Sequence, residues 1–225
     1  MARSSVATDD FNRAGPALGA NWTTMNASAS GDIVISSSTV VNGSFARTYD
    51  NTSAARWTGA GTFTNDQYAS VVIGGLAVQS TSYGIGVMCR GSGADGTRAY
   101  YGAYVVSDAA SGGTQTTVLF KIVAGAATAL NSGSASWANG DRVDLECEGT
   151  TIRLCKNGTP LGGAWTVTDS DISSGAPGVI GGGTTVATGD DWDAGSMGAG
   201  GGGAFIPIIG RGPGMALAGH SGLVG

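Results

Sequence analysis

Short runs of β-branched and aromatic residues recur every eight to fifteen residues along this chain, each cut off by Gly, Ser, Asn or Asp. That rhythm predicts an all-β fold of about a dozen antiparallel strands rather than alternating strands and helices. Glycine, at 41 of 225 residues, reinforces it, because Gly costs about 1 kcal/mol in a helix interior and serves turns and bulges well. The clearest strands are DIVISSS at 32–38, QYASVVIGG at 67–75, YGIGVMCR at 83–90, RAYYGAYVV at 98–106 and TTVLFKIV at 116–123. In YGIGVMCR, alternation sets Tyr83, Ile85, Val87 and Cys89 on a core face and Gly84, Gly86, Met88 and Arg90 on the other. The second face is thin, which suits a second layer or a partner backbone lying close.

Hydrophobic residues make up 41% of the chain and charged residues 12%, enough apolar material for a packed core. A net charge of −5 with only eleven Lys and Arg disfavours a phosphate-tracking surface, so nucleic acid is not expected as a partner. No run reaches the ~18 apolar residues of a membrane span, and MARSSVATDDFNR has no apolar stretch of secretory-signal length. Synthesis in the cytoplasm, with no membrane partner, is the expectation.

The segment DRVDLECEGTTIRLCKNG predicts a hairpin turning at Gly149 and Thr150. Facing residues then sum to 299, which sets Leu145 against Leu154, Cys147 against Ile152 and Cys155 against Asp144. Cys147 and Cys155 fall on opposite faces, so Cys89, Cys147 and Cys155 are all read as free thiols. Asp144, Glu146 and Glu148 alternate along the first strand, which sets three carboxylates on one face of it. The same register sets Arg153 against Glu146, and a cross-strand ion pair is the simpler account. His220, the one histidine, lies among glycines where nothing local would orient it as a base. The chain is therefore read as a non-enzyme.

Two acidic pairs, each followed by an aromatic, bracket residues 1–196: Asp9-Asp10-Phe11 and Asp190-Asp191-Trp192. A jelly roll lays its first and last strands side by side, which would bury Phe11 and Trp192 and close one domain over 1–196. Beyond it come a glycine-rich hinge at 197–204 and an apolar tail at 205–225 with Phe205, Ile206, Pro207, Ile208, Ile209, Met215, Leu217, Leu223 and Val224. Such a tail cannot build a core alone and reads as an anchor docking on a neighbouring subunit, or as a segment folded over its own domain.

The order and spacing of DDFNRAGPALGANW at 9–22, FTNDQYASVVI at 63–73, LFKIVAGAATALNSGSASWANGDRVDLECEGTTIRLCKNG at 119–158, DSDISSGAPGV at 169–179 and DDWDAG at 190–195 resemble the concanavalin A-like, or laminin G-like, jelly-roll modules of bacterial and phage proteins. The resemblance spans most of residues 8–196. It implies a jelly-roll β-sandwich with an extended Gly-rich C-terminal tail. It also implies a set of roles: virion parts, adhesins, glycan binders and glycosidase appendages.

Together with the tail and the lack of a catalytic set, it leads to the expectation of a bacteriophage structural protein. Capsid decoration is ranked ahead of a tail part, with other virion proteins and copies of itself as partners and the virion as location. Polysaccharide binding is the alternative, with Trp57, Tyr100, Tyr104, Trp137 and Trp165 as candidate glycan contacts, and a laminarinase-like hydrolase ranks third. No cofactor is expected other than calcium, which laminin G-like modules carry at the sheet rim; Asp9, Asp10, Asp190, Asp191 and Asp193 are its candidate ligands. The favoured account has one Asp of each pair ending a strand and bonding backbone amides.

Overall fold

A computed structural model of the chain describes residues 2–26, 33–36, 39–42, 53–76, 83–107, 115–182 and 187–198. Tail residues Phe205, Ile206, Pro207, Ile208, Ile209, Met215, Leu217, Leu223 and Val224 lie outside the described residues, as does His220.

Among the described residues the chain forms β1 (Arg3–Asp9), β2 (Trp22–Thr24), β3 (Ile33–Ser36), β4 (Thr39–Asn42), β5 (Ser53–Trp57), β6 (Gln67–Leu76), β7 (Tyr83–Ser92), β8 (Ala99–Ser107), β9 (Gln115–Val123), β10 (Ala126–Ser134), β11 (Arg142–Glu148), β12 (Thr151–Lys156), β13 (Thr159–Pro160), β14 (Thr166–Thr168), β15 (Ala176–Gly182) and β16 (Ala187–Met197). The strand expected over 32–38 is β3, one arm of a hairpin with Ile33 opposite Asn42 and Ser36 opposite Thr39. Two antiparallel sheets result. The first runs β13-β12-β11-β6-β16-β4-β3, with β1 also on β16 and β14 on β12; the second runs β10-β9-β8-β7-β15-β5-β2.

The inner faces meet in one core: Ile85, Val87 and Cys89 from β7 and Tyr101, Ala103 and Val105 from β8 join Ala69, Val71 and Ile73 from β6 and Val143, Leu145 and Cys147 from β11. All three cysteines are buried and unbridged. β1 lies antiparallel on β16, pairing Arg3 with Met197 and Asp9 with Trp192, so the first and last strands do close the sandwich. A bulge at Asp190–Asp193, with Asp191 at φ 45°, shifts the register just before Trp192. Trp192 then stacks on Trp57 at 5.3 Å and meets Trp22 edge-on at 4.8 Å, while Phe11 lies 5.9 Å from Trp22. Each indole N–H is bonded: Trp192 to Gly178 O, Trp57 to Ala60 O and Trp22 to Asp9 Oδ2. This plug buries large aromatic area with no unpaired donor.

The opposite face of the second sheet holds a separate apolar cluster of Met25, Ala54, Met88, Tyr100, Tyr104, Phe120, Ile122 and Ile180. The glycines of β7 and β8 explain it. A Cβ on Gly84 would meet the Tyr104 ring at 2.5 Å, and one on Gly102 the Phe120 ring at 2.5 Å, so the rings lie down in the space the missing side chains leave. The thin face is therefore filled by the chain's own aromatics.

One end of the sandwich is knotted by Arg90, which is 2% exposed and has φ 56° at a β-bulge. Its guanidinium donates to Asn65 O at 2.9 Å, Ile172 O at 2.9 Å and Gly149 O at 2.8 Å, joining three loops.

Candidate functional site

The acids of β11 lie on the outer face of the first sheet, since Val143, Leu145 and Cys147 point into the core. The register sets Glu146 opposite Arg153, Asp144 opposite Cys155 and Cys147 opposite Ile152, as the two-residue turn requires. Arg153 Nη1 donates to Glu146 Oε2 at 2.7 Å. Arg3, unforeseen from sequence, reaches across β16 and β6 from β1: its Nε and Nη2 donate to Glu146 Oε1 at 3.0 and 2.8 Å and its Nη1 to Asp144 Oδ1 at 2.7 Å. Arg142 pairs with Asp144 at 2.9 Å, and Gly158 N–H donates to Asp144 Oδ2 at 2.8 Å.

The Tyr68 ring lies beneath Arg3, 4.9 Å from its guanidinium carbon, and its phenol donates to Asp193 Oδ2 at 2.8 Å. Burial alone would raise the Glu146 pKa, but Arg3 and Arg153 outweigh it and hold the carboxyl below its ordinary value. A glycosidase acid needs the opposite shift. Beside the pair, burial pushes the Cys155 thiol up to about 12, which makes it a poor nucleophile.

The bracketing aspartates serve different ends. Asp9 accepts from Arg13 Nη1 and Nη2 at 2.6 and 2.8 Å, from Trp22 Nε1 at 2.7 Å and from Phe11 N at 2.9 Å. Burial opposes its ionisation, yet these donors hold its carboxyl below the usual range. Asp193 accepts from Ser5 Oγ at 2.5 Å as well as from Tyr68. Asp10 and Asp190 each accept a nearby backbone N–H, from Asn12 and Asp191. Asp190 is pushed up by burial and by the charges of Asp191, Asp10 and Asp9. Among the described residues no three His, Cys, Asp or Glu gather in a metal-holding arrangement. Asp9 thus takes a backbone amide together with a guanidinium and an indole, while Asp193 is held by two hydroxyls.

A sugar platform needs an exposed ring, and the five nominated aromatics are interior. Tyr100 and Tyr104 are 0% and 1% exposed, Trp137 3%, and Trp57 and Trp165 8% each. The expectation that β8 carries rings on both faces holds, with Tyr101 in the main core and Tyr100 and Tyr104 in the second cluster, but neither face leaves them open.

An open cleft of about 540 Å³ lies instead between β2 and β3, the end strands of the two sheets, beneath residues 16–19. Leu18, Trp22 and Ile33 are buried and form its floor, while Pro16, Ala17, Gly19, Thr23 and Thr24 are exposed on its rim, with Val34 half-buried. Its wall is braced from behind: Arg13, ion-paired with Asp9, also donates to Leu18 O, and Ile35 N–H donates to Pro16 O at 2.9 Å. Sequence reading passed over these residues, because Ile33 and Val34 reach Trp22 only through the closing of two sheets. The signal it could have used is the spacing Asp9-Arg13-Trp22, an ion pair set around a tryptophan.

No family model and no curated protein sequence matches the chain. Solved structures do. A carbohydrate-binding module, CBM66, from Bacillus subtilis aligns with TM-score 0.54 and 17% identity over 77% of this chain and 95% of that one. The CBM2 module of the evolved Dit of Lactobacillus casei BL23 phage J-1 aligns with TM-score 0.54 and 14% identity over 85% and 95%. A GH43 protein from Bacillus licheniformis aligns with TM-score 0.55 and 12% identity over 83% of this chain but 38% of its own. Among the described residues no helix is long and apolar enough to cross a membrane. With its two antiparallel sheets closed by β1 on β16, the chain has the concanavalin A-like jelly-roll fold.

Proposed function

We propose that this chain is a non-catalytic carbohydrate-binding module. The observation that carries the reading is its alignment over 95% of the length of two modules whose whole extent is a carbohydrate-binding unit. Fold alone does not fix chemistry, so the ion pairs matter as independent support. Asp144 and Glu146 are held by three arginines, and the lowered pKa of Glu146 suits an anion in a lattice rather than a proton donor. Affinity electrophoresis of the full chain through gels containing soluble polysaccharides tests it: retardation by at least one polymer is expected, together with no release of reducing sugar. Hydrolysis lost on Glu146→Gln would overturn the non-catalytic part, and migration unchanged in every gel would overturn binding.

A finer reading makes the module a surface part of a bacteriophage particle, anchored through residues 205–225 to other virion proteins. It is favoured by the likeness to a module of a phage Dit and by the apolar composition of the tail. Removing residues 198–225 should leave a folded domain that no longer enters particles. Normal incorporation of the shortened chain would rule out the anchor.

A further inference from the structure

Cys89 and Cys147 come from different sheets, on β7 and β11, yet their side chains meet in the core between them. Both are fully buried. Cys89 Sγ lies 3.4 Å from Leu145 O and 3.9 Å from Gln67 O, and Gln67 is the residue that faces Cys147 where β6 pairs with β11. The Cys89 sulfur therefore sits over the rung that carries Cys147, and the two thiols are hydrogen-bonded to each other. A clamp just beyond them fixes this approach: Arg90 N–H donates to Gln67 Oε1 at 3.0 Å and its Nη2 to Gly149 O at 2.8 Å, tying the end of β7 to β6 and to the β11–β12 turn.

We infer that Cys89 and Cys147 form an oxidation site, two thiols set to close one disulfide between the sheets when a low-molecular-weight disulfide oxidises them. Cys155 does not compete, because it faces Asp144 on the outer side of the first sheet, away from the core that holds the other two. The chemistry is two exchanges, written here for oxidised glutathione. One cysteine thiolate attacks a sulfur of the oxidant, which forms a mixed disulfide and releases one glutathione thiolate. The other cysteine thiolate attacks the protein sulfur of that mixed disulfide, so the Cys89–Cys147 bond forms and the second glutathione leaves. Both thiol protons end on the released glutathiones, and the two electrons lost by the cysteines reduce the oxidant.

Burial sets when this happens. Withdrawal from water, and then the neighbouring Cys147 thiol, push the Cys89 thiol well above its ordinary pKa, so the closed sandwich holds little thiolate and shuts the sulfur from solvent. The first exchange therefore belongs to the folding chain, before the sheets close, and closure then brings the second sulfur onto the mixed disulfide. Once made, the bond is screened from reductants by the same packing. It joins positions about 60 residues apart, which removes many conformations from the unfolded chain and favours the folded one.

The test unfolds the full-length protein in guanidinium with reductant and refolds it either in a glutathione redox buffer or in reductant alone. The soluble, folded fraction of each is read by intact mass, peptide mapping, a thiol count after denaturation, and thermal melting. Expected from the redox buffer are a loss of about 2 Da, a mapped Cys89–Cys147 link, and melting roughly 10 °C above the reduced protein. Of the three thiols, Cys155 alone should remain reactive. Cys155→Ala should bridge as the wild type does, and Cys147→Ala should not. Three free thiols, a retained glutathione adduct or a link that includes Cys155 would overturn the assignment. A mapped bridge that melts no higher than the reduced protein would overturn its stabilising effect. Reduced protein that is already folded should keep all three thiols over the same time in the redox buffer, and its rapid bridging would overturn the order of closure and exchange.

Discussion

At the scale of single residues, Arg90 shows how one side chain can hold three loops. Its guanidinium is 2% exposed and donates to carbonyls of Asn65, Gly149 and Ile172. Each bond to a charged donor contributes ~1.5–3 kcal/mol, and the Ile172 carbonyl left behind would be buried without that partner. Arg90→Met keeps most of the volume and removes every donor, so denaturant unfolding should show a loss of roughly 3 kcal/mol or more. A loss under about 1 kcal/mol would mean that water satisfies those carbonyls. The role was hidden in the sequence: Arg90 ends a strand pattern in the way any surface arginine does, and only the bulge with its positive φ turns it across the end of the sandwich. By contrast, the Glu146–Arg153 pair was legible, because a two-residue turn fixes which residues face each other.

Strands and sheets carry the next level of constraint. The outer lattice of Arg3, Asp144, Glu146 and Arg153 ties β1 to β11 and β12 across the intervening β6 and β16. Since Glu146 is held below its ordinary pKa, its contribution is present above the unfolded value of ~4.3 and is lost as pH falls through the folded value. Glu146→Gln should therefore destabilise the protein by about 2 kcal/mol at pH 7, and the gap to wild type should close below about pH 4. Thermal melts across that pH range would reveal a constant gap if the charge is irrelevant.

On the second sheet, Gly102→Ala would drive a methyl into the Phe120 ring at 2.5 Å and the Ile180 side chain at 3.2 Å. A loss of about 1–3 kcal/mol by denaturant unfolding is expected, because overpacking forces rings off their rotamers. Wild-type stability would mean the Phe120 ring is free to move aside. Alternation in the sequence correctly divided β7 into two faces, but it could not tell that the thin face would be roofed by Tyr104 and Phe120, whose rings come from β8 and β9. The same limit applies to the five nominated aromatics: a run of Trp and Tyr looks alike whether its rings face solvent or a core.

For the molecule as a whole, closure of β1 on β16 does more than bury Phe11 and Trp192. Gly198 N–H donates to Ala2 O at 2.9 Å, so the two ends of the described body touch. A circular permutant that joins them by a short linker and opens the connection between β8 and β9, at residues 108–114, should fold with a melting temperature within a few degrees of wild type. Failure of that permutant to fold would place an essential contact in the opened connection. The sandwich and its closure were readable from the acidic-aromatic brackets at both ends, whereas the β2–β3 cleft arises only when the sheets are assembled.

That closure also sets a direction. β1 carries the chain about 20 Å, at ~3.3 Å per residue, from Arg3 beside Met197 to Asp9, the residue that holds Trp22 at the cleft floor. Both ends of the body leave from one pole, and the cleft sits toward the other. Spliced into a surface loop of another protein, the body would behave as a plug on a two-stranded stalk, presenting its cleft outward without any change to the host's own path.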